Sequence, residues 1–202
     1  MNSLDPLLTQ MAQLKTTQRR SLIAVAGPPA AGKSTLSEAV QQRFGMDVKI
    51  LPMDGFHLDN AMLESRGHLH RKGAPFTFDV AQFAQIVAQI AQGEEVMAPT
   101  FDRTRDCVVP NAERISAATP LIVVEGNYLL LDEPQWADLA QYWDLSVFLD
   151  VPMDVLEARL IARWVAHNHT EDEARARALG NDIPNARTVL TQSRAADITL
   201  RL

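Results

Sequence analysis

A three-layer α/β/α fold around a parallel β-sheet is the fold class this 202-residue sequence predicts, and three observations predict it. Short, almost wholly apolar runs of strand length recur along the chain, as at Leu121-Ile122-Val123-Val124 and Leu145-Ser146-Val147-Phe148-Leu149. Segments of helical period lie between them, and strands buried on both faces with helical crossovers belong to parallel sheets. Between the first such strand and the first crossover helix stands Gly27-Pro28-Pro29-Ala30-Ala31-Gly32-Lys33-Ser34-Thr35, which fits the phosphate-loop pattern GxxxxGK[ST] at every specified position.

Each element has a local reason. A helix is expected near Asp5 to Lys15, and Ser21 to Ala26 is a mostly apolar strand. From Ser34 the residues Leu36, Ala39, Val40 and Phe44 recur at helical spacing until Gly45 ends the helix. A second strand, Val48 to Leu51, follows that turn signal. From Asp54 to Pro120 buried-strand runs are few and polar, Pro and Gly residues many, apart from a helix over about Asp79 to Gln92. This stretch, about 55–119, reads as a substrate-side insertion. The third strand ends in Glu125-Gly126 and the fourth in Asp150. Pro152 suits the first turn of a helix running to about Asn168, a polar stretch from Glu171 to Leu179 follows, and Asp197 to Leu200 is a last short strand. With no internal repeat, residues 1–202 are expected to form one domain.

The loop's chemistry follows from its residue types. Backbone N–H groups of the loop and the positive end of the next helix point at phosphates, and Gly27 and Gly32 supply the bare backbone that close approach needs. Pro28, Ala30 and Ala31 complete the cradle; Lys33 is expected on the β- and γ-phosphates, Ser34 on Mg²⁺ and Thr35 on an inner phosphate. With Gly usage near 7%, a chance match is on the order of one in a hundred. No NKxD guanine motif occurs, so ATP is the expected nucleotide.

A formal charge of -6 disfavours nucleic acid as a partner, because counterion release needs clustered Lys and Arg. The single cysteine, Cys107, gives no disulfide framework and is read as a semi-buried thiol. Met1 to Gln18 lacks a signal-peptide pattern and no apolar run reaches the length of about 18 residues that spans a bilayer. The expectation is a cytoplasmic protein with no membrane insertion.

In open α/β sheets ligands collect at the carboxyl ends of the strands. The residues there are the phosphate loop, Asp54, Glu125 with Asn127, and Asp150, and three carboxylates converging on a polyphosphate call for a metal or a proton-transfer role. Asp54, in Pro52-Met53-Asp54-Gly55-Phe56-His57, is the candidate general base; its plain alternative is an Asp-Gly turn. Glu125, ending a Walker B-like strand, is the candidate partner of Mg²⁺, or else an ordinary polar strand terminus. Arg159 and Arg163, at i and i+4 of one helix, could close over the phosphates or form a solvated face. The pairs His68/His70 and His167/His169 have too few ligands for zinc.

Placed together, these residues resemble the phosphoribulokinase, uridine kinase and pantothenate kinase family of P-loop kinases, over about Ser21 to Leu200. Met53-Asp54-Gly55-Phe56-His57 is similar to the family's segment bearing the catalytic base, which raises Asp54 above a turn residue. Arg71-Lys72-Gly73-Ala74-Pro75 resembles its Lys-Gly-x-Pro segment, Pro99 to Arg105 its substrate-side strand, Val124-Glu125-Gly126-Asn127-Tyr128 its Glu-Gly segment, and Arg159 to Arg163 its lid arginines. Asn181-Asp182-Ile183-Pro184-Asn185-Ala186-Arg187 is similar to the closing segment of a subgroup that includes kinases associated with fructose uptake systems. The resemblance implies a five-stranded parallel sheet of order 2-3-1-4-5, a lid over about 159–185, nucleotide contacts from Asn185 and Arg187, and ATP with Mg²⁺. It implies phosphorylation of a small hydroxyl compound, a sugar such as fructose first and uridine, cytidine or pantothenate next. Acceptor contacts are expected from His57, Arg71, Lys72, Arg105 and Tyr128. A functional link to a sugar transporter goes with the subgroup, and a homodimer is one state left open. A second function class is a nucleotide-binding regulatory module of a transporter that hydrolyses ATP slowly without an acceptor.

Overall fold

Residues that alternate sides along β1 (Ser21–Ala26) divide the interior into two halves. Leu22, Ala24 and Ala26 enter one apolar cluster, while Ile23 and Val25 enter the other, as the two-residue period of a strand requires. Both faces of the sheet are thereby covered, which accounts for the apolar run Leu22 to Ala26 in the strand. The computed structural model describes residues 4–16 and 19–202. Residues 1–3 and 17–18, part of the stretch read for a leader, lie outside the described residues.

Before β1 comes α1 (Asp5–Lys15), which buries Leu7 and Met11. After it follow α2 (Lys33–Phe44), β2 (Val48–Pro52), α3 (Asn60–Ser65), α4 (Val80–Ala91), β3 (Val96–Asp102), β4 (Cys107–Ile115) and β5 (Leu121–Gly126). The chain continues through α5 (Pro134–Ala137), β6 (Leu145–Asp150), α6 (Met153–Ala166), α7 (Glu171–Arg177), a π-helical turn at Ala178–Asp182, α8 (Ile183–Gln192) and β7 (Ile198–Arg201). Five strands form one parallel sheet in the order β2-β5-β1-β6-β7. Counted within that sheet the order is 2-3-1-4-5, the order the resemblance implied.

Register decides what meets at the carboxyl edge. Ala26 lies opposite Gly126, and Pro52 lies opposite Glu125, so the phosphate loop, Glu125 and the segment after β2 leave the sheet side by side. Among the described residues no helix is long and apolar enough to cross a membrane.

The insertion differs from its expectation. It contains an antiparallel hairpin of β3 and β4, separate from the main sheet, with a register shift between Ala98 and Thr100 around Pro99. Val96, Ala98 and Ile115 join the core cluster, Pro99 is buried beside them, and most of the remaining hairpin residues are half-covered or exposed. The hairpin docks on the 3₁₀ turn Met53–Phe56, where a Cβ on Gly55 would lie 2.4 Å from the Pro99 carbonyl oxygen. Glycine at 55 is therefore demanded by the approach of another backbone, beyond any turn preference. At the far end of the insertion Arg20 is buried and donates to four carbonyls, those of Ile90, Glu94, Ser116 and Thr119. One guanidinium thus ties the start of β1 to the end of α4 and to the close of the inserted segment.

Candidate active site

The loop from Gly27 to Gly32 turns β1 into α2, and Gly32, at φ 98°, takes the left-handed conformation that a side chain would resist. Ala30 also has positive φ, at 64°, and Ala31 is packed into the core beneath it. The first N–H groups of α2 have no partners within the helix and face the cleft that Gly32, Lys33, Ser34 and Thr35 line. Lys33 Nζ donates to the carbonyls of Gly27 and Pro28, both at 2.9 Å, and to Asn127 Oδ1 at 2.7 Å. These acceptors are neutral. Desolvation pushes the Lys33 ammonium down to about 8, against the pull of Glu125 and Asp54, so an arriving anion would satisfy it.

Ser34 Oγ lies 3.2 Å from both oxygens of Glu125. Burial holds the Glu125 carboxyl above its usual range although Lys33 and Ser34 favour its charged form. A partly desolvated carboxylate next to a hydroxyl and a phosphate loop suits a divalent cation bound chiefly by phosphates and water. Among the described residues no cluster of three His, Cys, Asp or Glu side chains could hold a metal ion. The residues present therefore fit MgATP, with Ser34 and Glu125 on the metal side and Lys33 on the phosphates.

Asp54 faces the same cleft, of about 1530 Å³, from the turn after β2. Its carboxylate accepts from Arg103 Nη2 at 2.7 Å. His57 Nδ1 stands 2.8 Å from the Asp54 carbonyl oxygen, which fixes that nitrogen as the donor. The His57 ring packs on Phe78 and Phe101, at centroid distances of 4.1 and 4.8 Å, and burial holds its pKa below the usual value. Lys72 Nζ bonds Asn60 Oδ1 at 2.6 Å, pairs with Asp106 at 2.8 Å and lies 4.8 Å from the Phe101 ring centre. His57, Asn60, Lys72, Phe101, Arg103 and Asp106 thus form a wall opposite the phosphate loop.

Several expected residues lie elsewhere. Tyr128 is fully buried; its hydroxyl donates to the Gly73 carbonyl at 2.6 Å, and burial raises its pKa strongly, so it props the Lys72–Gly73 backbone from behind. The Arg105 side chain is exposed outside the cleft, while Arg103, which the sequence did not single out, reaches Asp54. Arg71 turns to Asn181 and Asn185, at 3.0 and 3.3 Å, beside a separate cavity. Asn185 is buried and reaches the cleft, but Arg187 is exposed on α8 outside it. Arg159 is exposed and touches the loop from outside through the Ala30 carbonyl at 3.3 Å, whereas Arg163 lines the cleft. Asp150 faces Arg201 at 3.7 Å and is not among the cleft residues, so of the three carboxylates expected at the strand ends only Asp54 and Glu125 line the cleft. Asn127 gains a defined partner in Lys33, and Trp164, Arg177 and Asp182 join the cleft without having been foreseen.

With this geometry the comparison with known proteins is direct. The model of the phosphoribulokinase/uridine kinase family matches residues 22–190. The chain belongs to that family. As a member it is a P-loop kinase, a phosphotransferase with an alcohol group as acceptor. It is 38% identical to YggC of Escherichia coli, an uncharacterised protein, over 98% of this chain and 85% of that one. A candidate uridine kinase of Schizosaccharomyces pombe is 34% identical, over the whole of this chain and 91% of its own. The crystal structure of a candidate fructose transport system kinase from Silicibacter superposes with a TM-score of 0.92 at 42% identity, covering 99% of this chain and all of the other.

Proposed function

We propose that this family member transfers the γ-phosphoryl group of ATP to a hydroxyl of a small polyhydroxylated metabolite, a sugar such as fructose, with residues 1–202 acting as one kinase unit. The observation that carries this reading is the place of Asp54: a carboxylate between the phosphate loop and a separate polar wall. The acceptor oxygen attacks the γ-phosphorus, Asp54 takes the hydroxyl proton, and the bond from the γ-phosphorus to the bridging oxygen breaks to leave ADP. Lys33 exchanges its carbonyl partners for phosphate oxygens, and Arg163 lies where it can neutralise charge on the transferring group. Bound Mg²⁺ would offset the charge of the β- and γ-oxygens, with Ser34 and Glu125 on its side of the site.

The wall supports a polyol. The rings of Phe78 and Phe101 also line the cleft but are already engaged by His57 and Lys72, and beside them Asn60, Lys72, Arg103 and Asp106 offer hydrogen-bonding edges. Several hydroxyls satisfy such a surface better than a nucleobase seeking a free stacking face. The likeness to the Silicibacter protein, named for fructose transport, supports the same acceptor and a functional link to sugar uptake.

The test is a panel of fructose, other hexoses, uridine, cytidine and pantothenate incubated with MgATP and read by mass spectrometry for a gain of one phosphate. Phosphorylated hexose is expected, lost in Asp54→Asn while ATP binding persists. A phosphorylated nucleoside or pantothenate instead would replace the acceptor assignment. ATP turnover with no phosphorylated acceptor would favour a regulatory ATPase.

A further inference from the structure

The π-helical turn Ala178–Asp182 lies between α7 and α8, and π turns insert a residue that redirects the side chains after it. Here it turns Asp182 toward α6. The carboxylate is almost buried, and both of its oxygens are used: Oδ1 accepts from Arg163 Nη2 at 3.1 Å, and Oδ2 accepts from Trp164 Nε1 at 2.6 Å. Arg163 and Trp164 are neighbours in sequence, and the Arg163 guanidinium lies 5.4 Å from the centre of the indole ring. Arg177 approaches the same ring at 5.1 Å.

An arginine on an exposed helix samples many rotamers, and ordering it costs conformational entropy. Arg163 has that cost offset before any nucleotide arrives, because one nitrogen is fixed on Asp182 and the guanidinium rests near an indole that the same carboxylate immobilises. Arg163 also lines the cleft with the phosphate loop. The contrast with Arg159, one turn earlier, is instructive: it is exposed, and its bond to the Ala30 carbonyl is a long one of 3.3 Å.

We infer that Asp182 is the positioning residue for Arg163, holding its guanidinium in the orientation that meets the γ-phosphate. This rests on the reading of Arg163 as a phosphate contact, so the experiment separates the two. The quantity to measure is the preference for a non-hydrolysable β,γ-imido ATP analogue over ADP, both with Mg²⁺, by calorimetry on the full chain. No acceptor is needed. Arg163→Ala is expected to weaken the triphosphate analogue about tenfold with ADP little changed, as for loss of one charged hydrogen bond. Asp182→Asn keeps an acceptor for the Trp164 indole but sets an amide against the guanidinium, and is expected to reproduce most of that loss.

In the double variant the two effects should not add, since Asp182 acts through Arg163. Additive losses, or an unchanged triphosphate preference in Asp182→Asn beside a defective Arg163→Ala, overturn the positioning role alone. An unchanged preference in Arg163→Ala overturns the phosphate contact itself and the inference with it. Should Asp182→Asn fail to fold, Asp182→Glu retains the charge while displacing the guanidinium by a methylene. A folded Asp182→Glu with undiminished preference for the triphosphate likewise overturns the inference.

Discussion

The phosphate-loop side of the cleft and the wall proposed to hold the acceptor are built differently. The phosphate side comes from two short runs of chain, 27–35 and 125–127, set side by side by the pairing of β1 with β5. The wall proposed for the acceptor is assembled from pieces near 54–60, 72 and 101–106, brought together by the docked hairpin and by side-chain bonds such as Lys72 to Asn60. A site written in one segment can be damaged without loss of fold; a site assembled from many segments shares its contacts with the fold itself. The difference separates substitutions that remove function alone from those that remove function and stability together.

The largest effect is expected where the insertion is fastened. Arg20→Met leaves four carbonyls without their donor and should cost about 3 kcal/mol of stability, read as a lowered denaturation midpoint. A loss below about 1 kcal/mol, within what one ordinary hydrogen bond contributes, would show the insertion to be fastened elsewhere. On the phosphate side Lys33→Met should weaken ATP about a hundredfold by removing a charged contact. Its thermal stability should not fall, because the ammonium it removes is desolvated and meets only neutral acceptors. A marked drop in melting temperature for Lys33→Met would break the contrast.

Gly55→Ala comes next. The new Cβ would press on Pro99 backbone atoms at 2.4 and 2.9 Å, where no side chain can swing aside, so the hairpin must shift. The cost should be about 2 kcal/mol, an overpacking penalty, with acceptor turnover reduced more than nucleotide binding. Equal losses of both would mean that the two sides of the cleft move as one.

Legibility in sequence follows the same division. The phosphate loop, the strands of the main sheet and α1 and α4 were readable because apolar period and turn residues specify them locally. β3 was anticipated only through the resemblance of Pro99 to Arg105 to a substrate-side strand, since Pro99 interrupts it at a bulge, and β4, which alternates little and exposes much of its length, was not anticipated. The pairing of Asp102 with Cys107 sets residues 103–106 as the hairpin tip, and this tertiary register selects Arg103 over Arg105 for Asp54. Nothing local distinguishes the two arginines. Tyr128 was misplaced for a related reason: a tyrosine beyond a strand end can point either way, and here the need to cap the Gly73 carbonyl in the core decides. Asp182 was hidden because its orientation depends on a π turn, which follows no apolar period.

The smallest effect expected, at His57, probes whether the acceptor wall is assembled before any ligand arrives. Burial against Phe78 and Phe101 depresses the His57 pKa, outweighing the charge of Asp54 and the bond to its carbonyl, which favour the protonated ring. Below the unfolded value of about 6.5 the unfolded chain then binds the proton that the folded chain resists. Stability from this group is therefore present above about pH 6.5 and lost as pH falls through the depressed folded value. In His57→Gln that dependence is absent. The gap in melting temperature between wild type and His57→Gln should accordingly narrow between pH 8 and pH 5, a range of about three units around the histidine value. A gap that stays flat or widens on acidification would place His57 in a solvated setting, and the packed wall that distinguishes the acceptor side would then have to form on binding.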